Sequence, residues 1–495
     1  MTRLVALVLG VIYCFGFAPF GFWPATFVAI AGLYLVLLKS ERPTLDAWLF
    51  GVGKYALGVS WVYVSIHVHG NAPPMLAGGL VILFVVGMAL FCAPIGWLFG
   101  RYRANEASSL THVALFAGAF ALMDWMLTWF LTGFPWLLPG YAFLYSVASG
   151  LVPVVGTLGL GLAITLSAAA AAHLAGTRRL ASGALALVAL PFVAGAIAGL
   201  FVWAEPVSRH QVALVQGNLD QQTKWLPENR GPNAAKHLEL SAPHWDAELV
   251  VWPEAAVTTF ASGAGAFLAQ LSERALATDT NVVVGIPGVR ETAEGEYAFQ
   301  NLALGVGLAR GRFAKHHLVP FGEYVPLESV LRGLIQFFDL PMSHAAPGAA
   351  YQPNIALSFG EAAMAICYEV AYPETMRRHA ASAALLMTIS NDTWFGDSIG
   401  PLQHLEIAQM RALENARWLV RATNNGVTAI VDPRGRVTAR LPQFEAGVLR
   451  GEVAAMTGRT PYSRLGHWPF FVAVGVCFVL GVRRGSQREQ GAAAT

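Results

Sequence analysis

The chain has 495 residues, of which 55% are hydrophobic and only 13% charged, about half the charged share usual in a soluble domain. Its mean hydropathy of +0.51 excludes a disordered polar chain and makes a wholly soluble one improbable on composition alone. The net charge of +2, with no basic stripe interleaved with aromatics, leaves nucleic-acid binding without an electrostatic footprint.

Charge is unevenly placed. Residues 1–203 carry 12 of the Asp, Glu, Lys and Arg side chains, 204–466 carry 46, and the remaining tail carries 4. This predicts a membrane domain over 1–203, an outer soluble domain over 204–466, a last span over 467–483 and a cytoplasmic tail over 484–495.

In chain order, apolar runs near the length that crosses a bilayer, about 20 residues, fall at 4–18, 22–38, 47–66, 75–99, 110–130, 151–174, 184–203 and 467–482. The first two are short and joined by the Ala18-Pro19-Phe20-Gly21 turn, which suits a hairpin or a re-entrant pair. Arg3, Lys39 with Arg42, Arg101 with Arg103, Arg178 with Arg179, and Arg483 with Arg484 fall on one side if all eight runs cross. The alternate loops at 67–74 and 132–150 carry no Lys or Arg. The excess of positive charge marks the cytoplasmic side, so both termini are expected in the cytoplasm and the 204–466 domain outside. The first run lacks a small-residue cleavage site and reads as retained. Lys54, His67 and Asp124 are ionisable residues in or near spans. Each suits a functional role, or a mundane one: Lys54 snorkelling to an interface, His67 at a span end, Asp124 hydrogen-bonded in the bundle.

From residue 210 the pattern changes to short strands alternating with helices. Strands are expected at 211–216, 248–252, 281–286, 363–367, 385–389, 419–422 and 428–432, and helices at 233–240, 265–277, 374–381 and 403–414. Runs such as Leu249-Val250-Val251-Trp252 suit strands buried on both faces. The outer domain is therefore expected to be a layered α/β fold.

Three chemical residues sit just past strand ends, where ligands bind in such folds. They are Glu254 in Val-Trp-Pro-Glu, Lys315 before His316-His317-Leu-Val-Pro-Phe-Gly-Glu-Tyr-Val-Pro, and Cys367 in Ala-Ile-Cys-Tyr-Glu. Cys14, Cys92 and Cys477 lie in expected spans, leaving Cys367 without a disulfide partner in an outer domain. An inert strand-end thiol and a reactive one fit equally. Glu254 and Lys315, each alone, read as ordinary exposed charges. Together the three divide the work of acyl transfer: a thiol that needs a base, a shielded carboxylate to supply it, and a fixed ammonium for the oxyanion.

At these segments the chain resembles the nitrilase superfamily, whose set is Glu, Lys and Cys in this order. With its membrane helices it resembles that superfamily's membrane branch, the apolipoprotein N-acyltransferase family. The resemblance also rests on Val-Gln-Gly-Asn at 215–218 with Lys224-Trp225, Ser-Asn-Asp-Thr-Trp-Phe-Gly at 390–396, and Arg-Ala-Thr-Asn-Asn-Gly at 421–426. It implies about eight transmembrane helices in a polytopic α-helical domain plus a nitrilase-like αββα sandwich. It implies Glu254 as general base, Lys315 as oxyanion stabiliser, Cys367 as nucleophile and Glu323 as a carboxylate that orients the lysine or relays protons. The backbone N–H of Tyr368 would complete the oxyanion hole. Trp225, Tyr368 and Glu369 match positions around the substrates; core packing or a solvated carboxylate is the alternative for each.

The implied reaction moves an acyl chain from the sn-1 position of a phospholipid, phosphatidylethanolamine first, through a thioester on Cys367. The acceptor is the α-amine of a diacylglyceryl-cysteine at an apolipoprotein N-terminus, at the bacterial inner membrane. No cofactor and no metal are expected. A loop at Leu334 to Met342, with Phe337 and Phe338, is expected to dip toward lipid as a gate. Rival readings are a membrane-tethered amidase or nitrilase acting on small amides, and a transporter with an accessory domain.

Overall fold

The computed structural model describes residues 1–103, 109–177, 182–291, 295, 297–325 and 345–492. Arg178 and Arg179, and the expected gate at Leu334 to Met342 with Phe337 and Phe338, lie outside the described residues. The chain divides into two compact units. One comprises Met1–Tyr63, Pro74–Val202 and Arg464–Thr495; the other comprises Val64–Pro73 and Trp203–Ser463.

The first unit is helical. Two helices, Pro74–Tyr102 and Val147–Gly176, are long and apolar enough to cross a membrane; Pro43–Gly58 and Val62–His69, bent by 64°, make a third if counted as one span. The shorter apolar helices are Thr2–Gly16, Trp23–Lys39, Leu110–Met126, Ser182–Ala198 and Trp468–Val482. Each expected run therefore holds an apolar helix. The last of these continues to Ala492; the other four have at most 17 described residues, about 26 Å of helix against the ~30 Å of a hydrocarbon core. A tight turn follows the first helix, where Phe20 and Gly21 donate back to Phe17 O at 2.9 and 3.0 Å. The first and third helices approach closely, since a Cβ on Gly10 would lie 2.1 Å from Phe50 O and one on Gly53 2.1 Å from Leu7 O. Lys54 does not snorkel. It is 1% exposed, with its Nζ over the rings of Tyr13 and Tyr55 at 5.0 and 5.2 Å.

The run expected as a span over 47–66 is broken instead. After the bend, Val64–Pro73 belongs to the second unit, where Ser65 Oγ donates to Trp394 O at 2.7 Å and the His69 ring meets Trp394 edge-on at 5.6 Å. His67 lies in this segment, with Nδ1 donating to Ala72 O at 2.8 Å.

The second unit holds two six-stranded sheets. The first contains β1 (Ala204–Gln216), β2 (Leu249–Val251), β3 (Asn281–Glu291), β4 (Tyr297–Gly307), β5 (Arg312–Ala314) and β12 (Gly447–Gly458), in the order β12-β1-β2-β3-β4-β5. The second contains β6 (Ile355–Leu357), β7 (Gly360–Ile366), β8 (Leu385–Ser390), β9 (Leu419–Thr423), β10 (Ala429–Val431) and β11 (Val437–Arg440), in the order β11-β10-β9-β8-β7-β6. Each sheet has three parallel strands, β1-β2-β3 and β7-β8-β9, with antiparallel strands on both sides.

The sheets face each other, β1 against β9 and β12 against β10, and helices cover the outer faces: 230–241 on β1, 265–277 on β4, 373–380 on β7 and 400–415 on β9. Burial on both faces explains the unbroken apolar runs. Leu249, Val250 and Val251 are each 0% exposed, and Val250 joins Trp252, Val282, Leu271 and Ala275 in one core between sheet and helices. The parallel strands all run the same way within their sheets, so the turns after β2, β7 and β8 gather at one end and β5 delivers its own exit there too.

Candidate active site

Glu254 follows β2 through Trp252 and Pro253. The turn is held against the sheet by Trp252 N–H to Val283 O at 2.8 Å. It lies so close to β3 that a Cβ on Gly285 would sit 2.1 Å from Pro253 O and 2.7 Å from Glu254 Cα. The Glu254 side chain is buried. Its Oε2 accepts the Asn391 N–H at 2.9 Å, just past β8, and its Oε1 accepts Asn301 Nδ2 at 3.1 Å.

Lys315 leaves β5, whose neighbour β4 fixes it: Lys315 N–H donates to Asn301 O at 2.9 Å, extending the register Leu302 to Ala314. Its Nζ is 2.8 Å from Glu323 Oε1 and 3.5 Å from Glu254 Oε1. Burial lowers the proton affinity of this ammonium, but the charges of Glu254 and Glu323, with a further contribution from Cys367, outweigh it and hold the lysine well above its ordinary range. Glu323 reaches back over its own turn, with Oε2 on Val319 N–H at 2.9 Å. Burial pushes the Glu254 carboxyl up, with Lys315 opposing and Glu323 adding to the rise.

Cys367 is the first residue after β7 and opens the helical turn Cys367–Ala371. Its φ of +55° is a left-handed conformation that costs a residue with a Cβ about 1–2 kcal/mol; the chain turns sharply there and presents the sulfur. The thiol is buried, and burial together with the nearby Glu254 pushes it up to about 12, while Lys315 pulls the other way. The arrangement is thus a protonated thiol beside a carboxylate with raised proton affinity and a firmly charged ammonium. Such a set can pass the thiol proton to the carboxylate as sulfur attacks a carbonyl carbon.

Residues 211–462 match the carbon-nitrogen hydrolase family model, and residues 9–170 match that of the apolipoprotein N-acyltransferase N-terminal domain. A protein named apolipoprotein N-acyltransferase from Pseudomonas syringae pv. tomato is 43% identical over 97% of this chain and 95% of its own length. Proteins of the same name from Pseudomonas aeruginosa and Vibrio cholerae are 42% and 38% identical, over 96% of this chain and 94% and 96% of theirs. The chain belongs to the apolipoprotein N-acyltransferase family.

The remaining residues expected from this family's pattern take distinct places. Glu369 is 0% exposed and both its oxygens hold backbone: Oε1 accepts His316 N–H at 2.7 Å and His317 N–H at 3.1 Å, and Oε2 accepts Ile366 N–H at 2.8 Å. It ties the segment after Lys315 to the strand end before Cys367. Burial pushes its carboxyl up to about 7, with the backbone donors opposing. Tyr368 is buried, its ring edge-on to Tyr372 at 5.3 Å. His316 and His317 serve the same scaffold: His316 Nδ1 donates to Gly348 O at 2.8 Å, and the His317 ring stacks on Tyr372 at 3.8 Å.

Trp225 is partly exposed, with its ring edge-on to Phe299 at 6.3 Å and its buried indole N–H without a hydrogen-bond partner among the described residues. Lys224 Nζ lies 5.6 Å from the centre of that ring and is likewise buried, with no hydrogen-bond partner among the described residues. Burial brings Lys224 down to about 8, Glu254 opposing.

Asn301 was not singled out from the sequence, yet its Nδ2 donates to Glu254 Oε1 and, at 2.8 Å, to Glu323 Oε1. The signal was a polar amide within the strand run Phe299–Leu304, since a buried amide in a sheet requires partners. The quoted motifs around 218, 391 and 424 knit the strand-end loops: Asn424 Nδ2 donates to Leu219 O at 2.9 Å and Asn391 Oδ1 at 3.2 Å, and Leu219 N–H returns to Asn424 Oδ1 at 2.9 Å. Among the described residues no group of three or more His, Cys, Asp and Glu could hold a metal ion.

Proposed function

We propose that the protein moves an acyl chain from the sn-1 position of a phospholipid, phosphatidylethanolamine first, to the α-amine of the diacylglyceryl-cysteine that begins an apolipoprotein. Cys367 attacks the ester carbonyl as its proton passes to Glu254. The oxyanion is stabilised by Lys315 Nζ and the Tyr368 N–H. Collapse expels the lysophospholipid alkoxide, which takes the proton from Glu254 and leaves a thioester. The acceptor amine then attacks the thioester, its proton goes to Glu254, and the thiolate leaves and is reprotonated, giving ping-pong kinetics. Glu323 keeps Lys315 charged and aimed, and Trp225, Tyr368 and Glu369 line or support the substrate sites.

The observation that carries this reading is the buried Lys315 ammonium set between Glu254 and Glu323 and electrostatically coupled to Cys367. An unpaired thiol, a carboxylate of raised proton affinity and a fixed cation suit an acyl-enzyme mechanism. The apolar helices of the first unit supply the membrane: both substrates carry acyl chains, and each methylene drawn into water costs about 0.8 kcal/mol. We place the eight apolar runs across the bacterial inner membrane, the 47–66 run crossing only up to its bend, with both termini in the cytoplasm and the sheet domain in the periplasm.

Intact-protein mass spectrometry after incubation with phosphatidylethanolamine and no acceptor tests the reaction. The expected result is one acyl mass on Cys367, absent in Cys367→Ser and discharged by a diacylglyceryl peptide. Delipidated, folded wild type that gains no acyl mass but hydrolyses small soluble amides overturns it in favour of a membrane-tethered amidase.

A further inference from the structure

The backbone of Cys367 is held from below by a charged network. His404, on the helix 400–415, places Nε2 3.1 Å from Cys367 O. A carbonyl oxygen only accepts, so Nε2 carries the hydrogen. The other ring nitrogen, Nδ1, lies 2.9 Å from Arg421 Nη2 and 3.0 Å from Asp392 Oδ1. Nδ1 faces the Arg421 N–H and offers it a lone pair; burial and the Arg421 charge hold the imidazole below its ordinary value, with Asp392 opposing. Arg421 Nη2 also donates to Asp392 Oδ2 at 2.6 Å, and Ser390 Oγ–H to Asp392 Oδ1 at 2.5 Å.

His404 and Arg421 are 0% exposed, Ser390 0% and Asp392 1%. Three elements thus join a histidine, an arginine and an aspartate in one buried network that reaches the Cys367 carbonyl through His404. Burying an ion pair for stability alone gains little over apolar packing. The carbonyl it serves belongs to the one residue of the turn that has a left-handed φ.

We propose that His404, oriented by Asp392 and Arg421, is a positioning residue for the nucleophile: its Nε2–H holds the Cys367 carbonyl, and with it the backbone turn that aims the sulfur at Glu254 and Lys315. This rests on the acyl-transfer reading for the role of Cys367. Arg421 fixes which imidazole nitrogen donates, and Asp392 neutralises Arg421, so the donor is preset without a proton transfer.

The test uses the full chain in lipid nanodiscs, comparing wild type with His404→Leu, which keeps bulk and removes the donor, and His404→Gln, which keeps a donor at similar reach. The first readout is single-turnover acylation of Cys367 by phosphatidylethanolamine. The second is iodoacetamide alkylation followed by mass spectrometry at each of the four cysteines, which needs no lipid chemistry. His404→Leu is expected to slow acylation about 100-fold, the loss expected of a misplacement near 1 Å. Its half-saturating lipid concentration is expected to stay within about twofold. Alkylation of Cys367 slows while Cys14, Cys92 and Cys477 react as before, and His404→Gln recovers most of both rates.

Wild-type rates in His404→Leu, or Gln as slow as Leu, overturn the proposal. So does faster alkylation at all four cysteines, which is loosening of the fold. If wild type takes no acyl group, the acyl-transfer reading fails while alkylation still decides the role of His404. If His404→Leu does not fold, His404→Asn, too short to reach the carbonyl, replaces it with the same expectations.

Discussion

Asn301 donates its single Nδ2 to Oε1 of Glu254 at 3.1 Å while its own carbonyl holds Lys315 N–H at 2.9 Å. One residue of β4 thereby sets the height of the carboxylate and of the lysine that face each other. Asn301→Leu removes the donor to Glu254 and to Glu323 and keeps the strand. A hydrogen bond to a charged group is worth about 1.5–3 kcal/mol, so acylation is expected to fall roughly ten- to a hundredfold. With one stabilising donor gone, the Glu254 carboxyl rises further. The acid limb of the single-turnover pH profile should move to higher pH, which stopped-time mass spectrometry across pH checks.

Lys224 gives a prediction in which stability and activity move oppositely. Its proton affinity is depressed by burial to about 8 from an ordinary 10.5, so below pH 8 the fold carries the full cost of a buried charge. That cost fades as pH rises from 8 toward 10.5. Lys224→Met should raise the melting temperature at pH 7, by a stabilisation of about 1–3 kcal/mol, and the gain should shrink above pH 8. The cation also favours ionised Glu254, so the same variant should acylate more slowly at pH 6 than at pH 8 relative to wild type.

Glu369→Gln leaves one oxygen for the amides of His316 and His317 and sets an NH2 against Ile366 N–H. An opposed, buried donor costs about 1–3 kcal/mol. The Glu369 carboxyl sits at about 7 in the fold against 4.5 ordinarily. Its stabilising share is therefore full below pH 4.5 and lost as pH rises to 7. Denaturation of the wild type should show this fall, and the variant should be flatter across the same window as well as less active.

Gly285→Ala forces a Cβ to within 2.1 Å of Pro253 O, with backbone on both sides and no flexible atom to yield. Overpacking of this kind costs about 1–3 kcal/mol. Because the displaced turn is that of Glu254, acylation should drop by more than the loss of folded protein explains. Activity per folded molecule, with folded fraction read by thermal melting, distinguishes the two.

Much of the site was legible because its residues lie where the chain changes character. Glu254 and Cys367 each follow a short apolar run, and strand ends are where a sheet can present side chains without burying them in its core. The helices at 265–277 and 403–414 and the strands at 249–251 and 385–390 carry local periodicity strong enough to read. β4, β5, β6, β11 and β12 do not. β12 is made by pairing with β1 across more than two hundred residues, and a segment such as Arg312–Ala314 is too short to announce itself.

By itself the sequence determined the division of the chain into an apolar helical part and an α/β part, the order Glu, Lys, Cys, and the family to which they belong, because apolar runs, strand lengths and contiguous motifs are local properties. Only the tertiary structure decided which polar groups are spent on backbone and which are left to face one another. Glu369 reads as a carboxylate beside a nucleophile, yet it is consumed by three amides. Asn301 reads as one amide in a strand, yet register sets it against Lys315. His404 lies 37 positions from Cys367 in the chain and meets it only because a helix crosses beneath the turn. Long-range pairing places these groups, and no local pattern of residues encodes the register or the crossing.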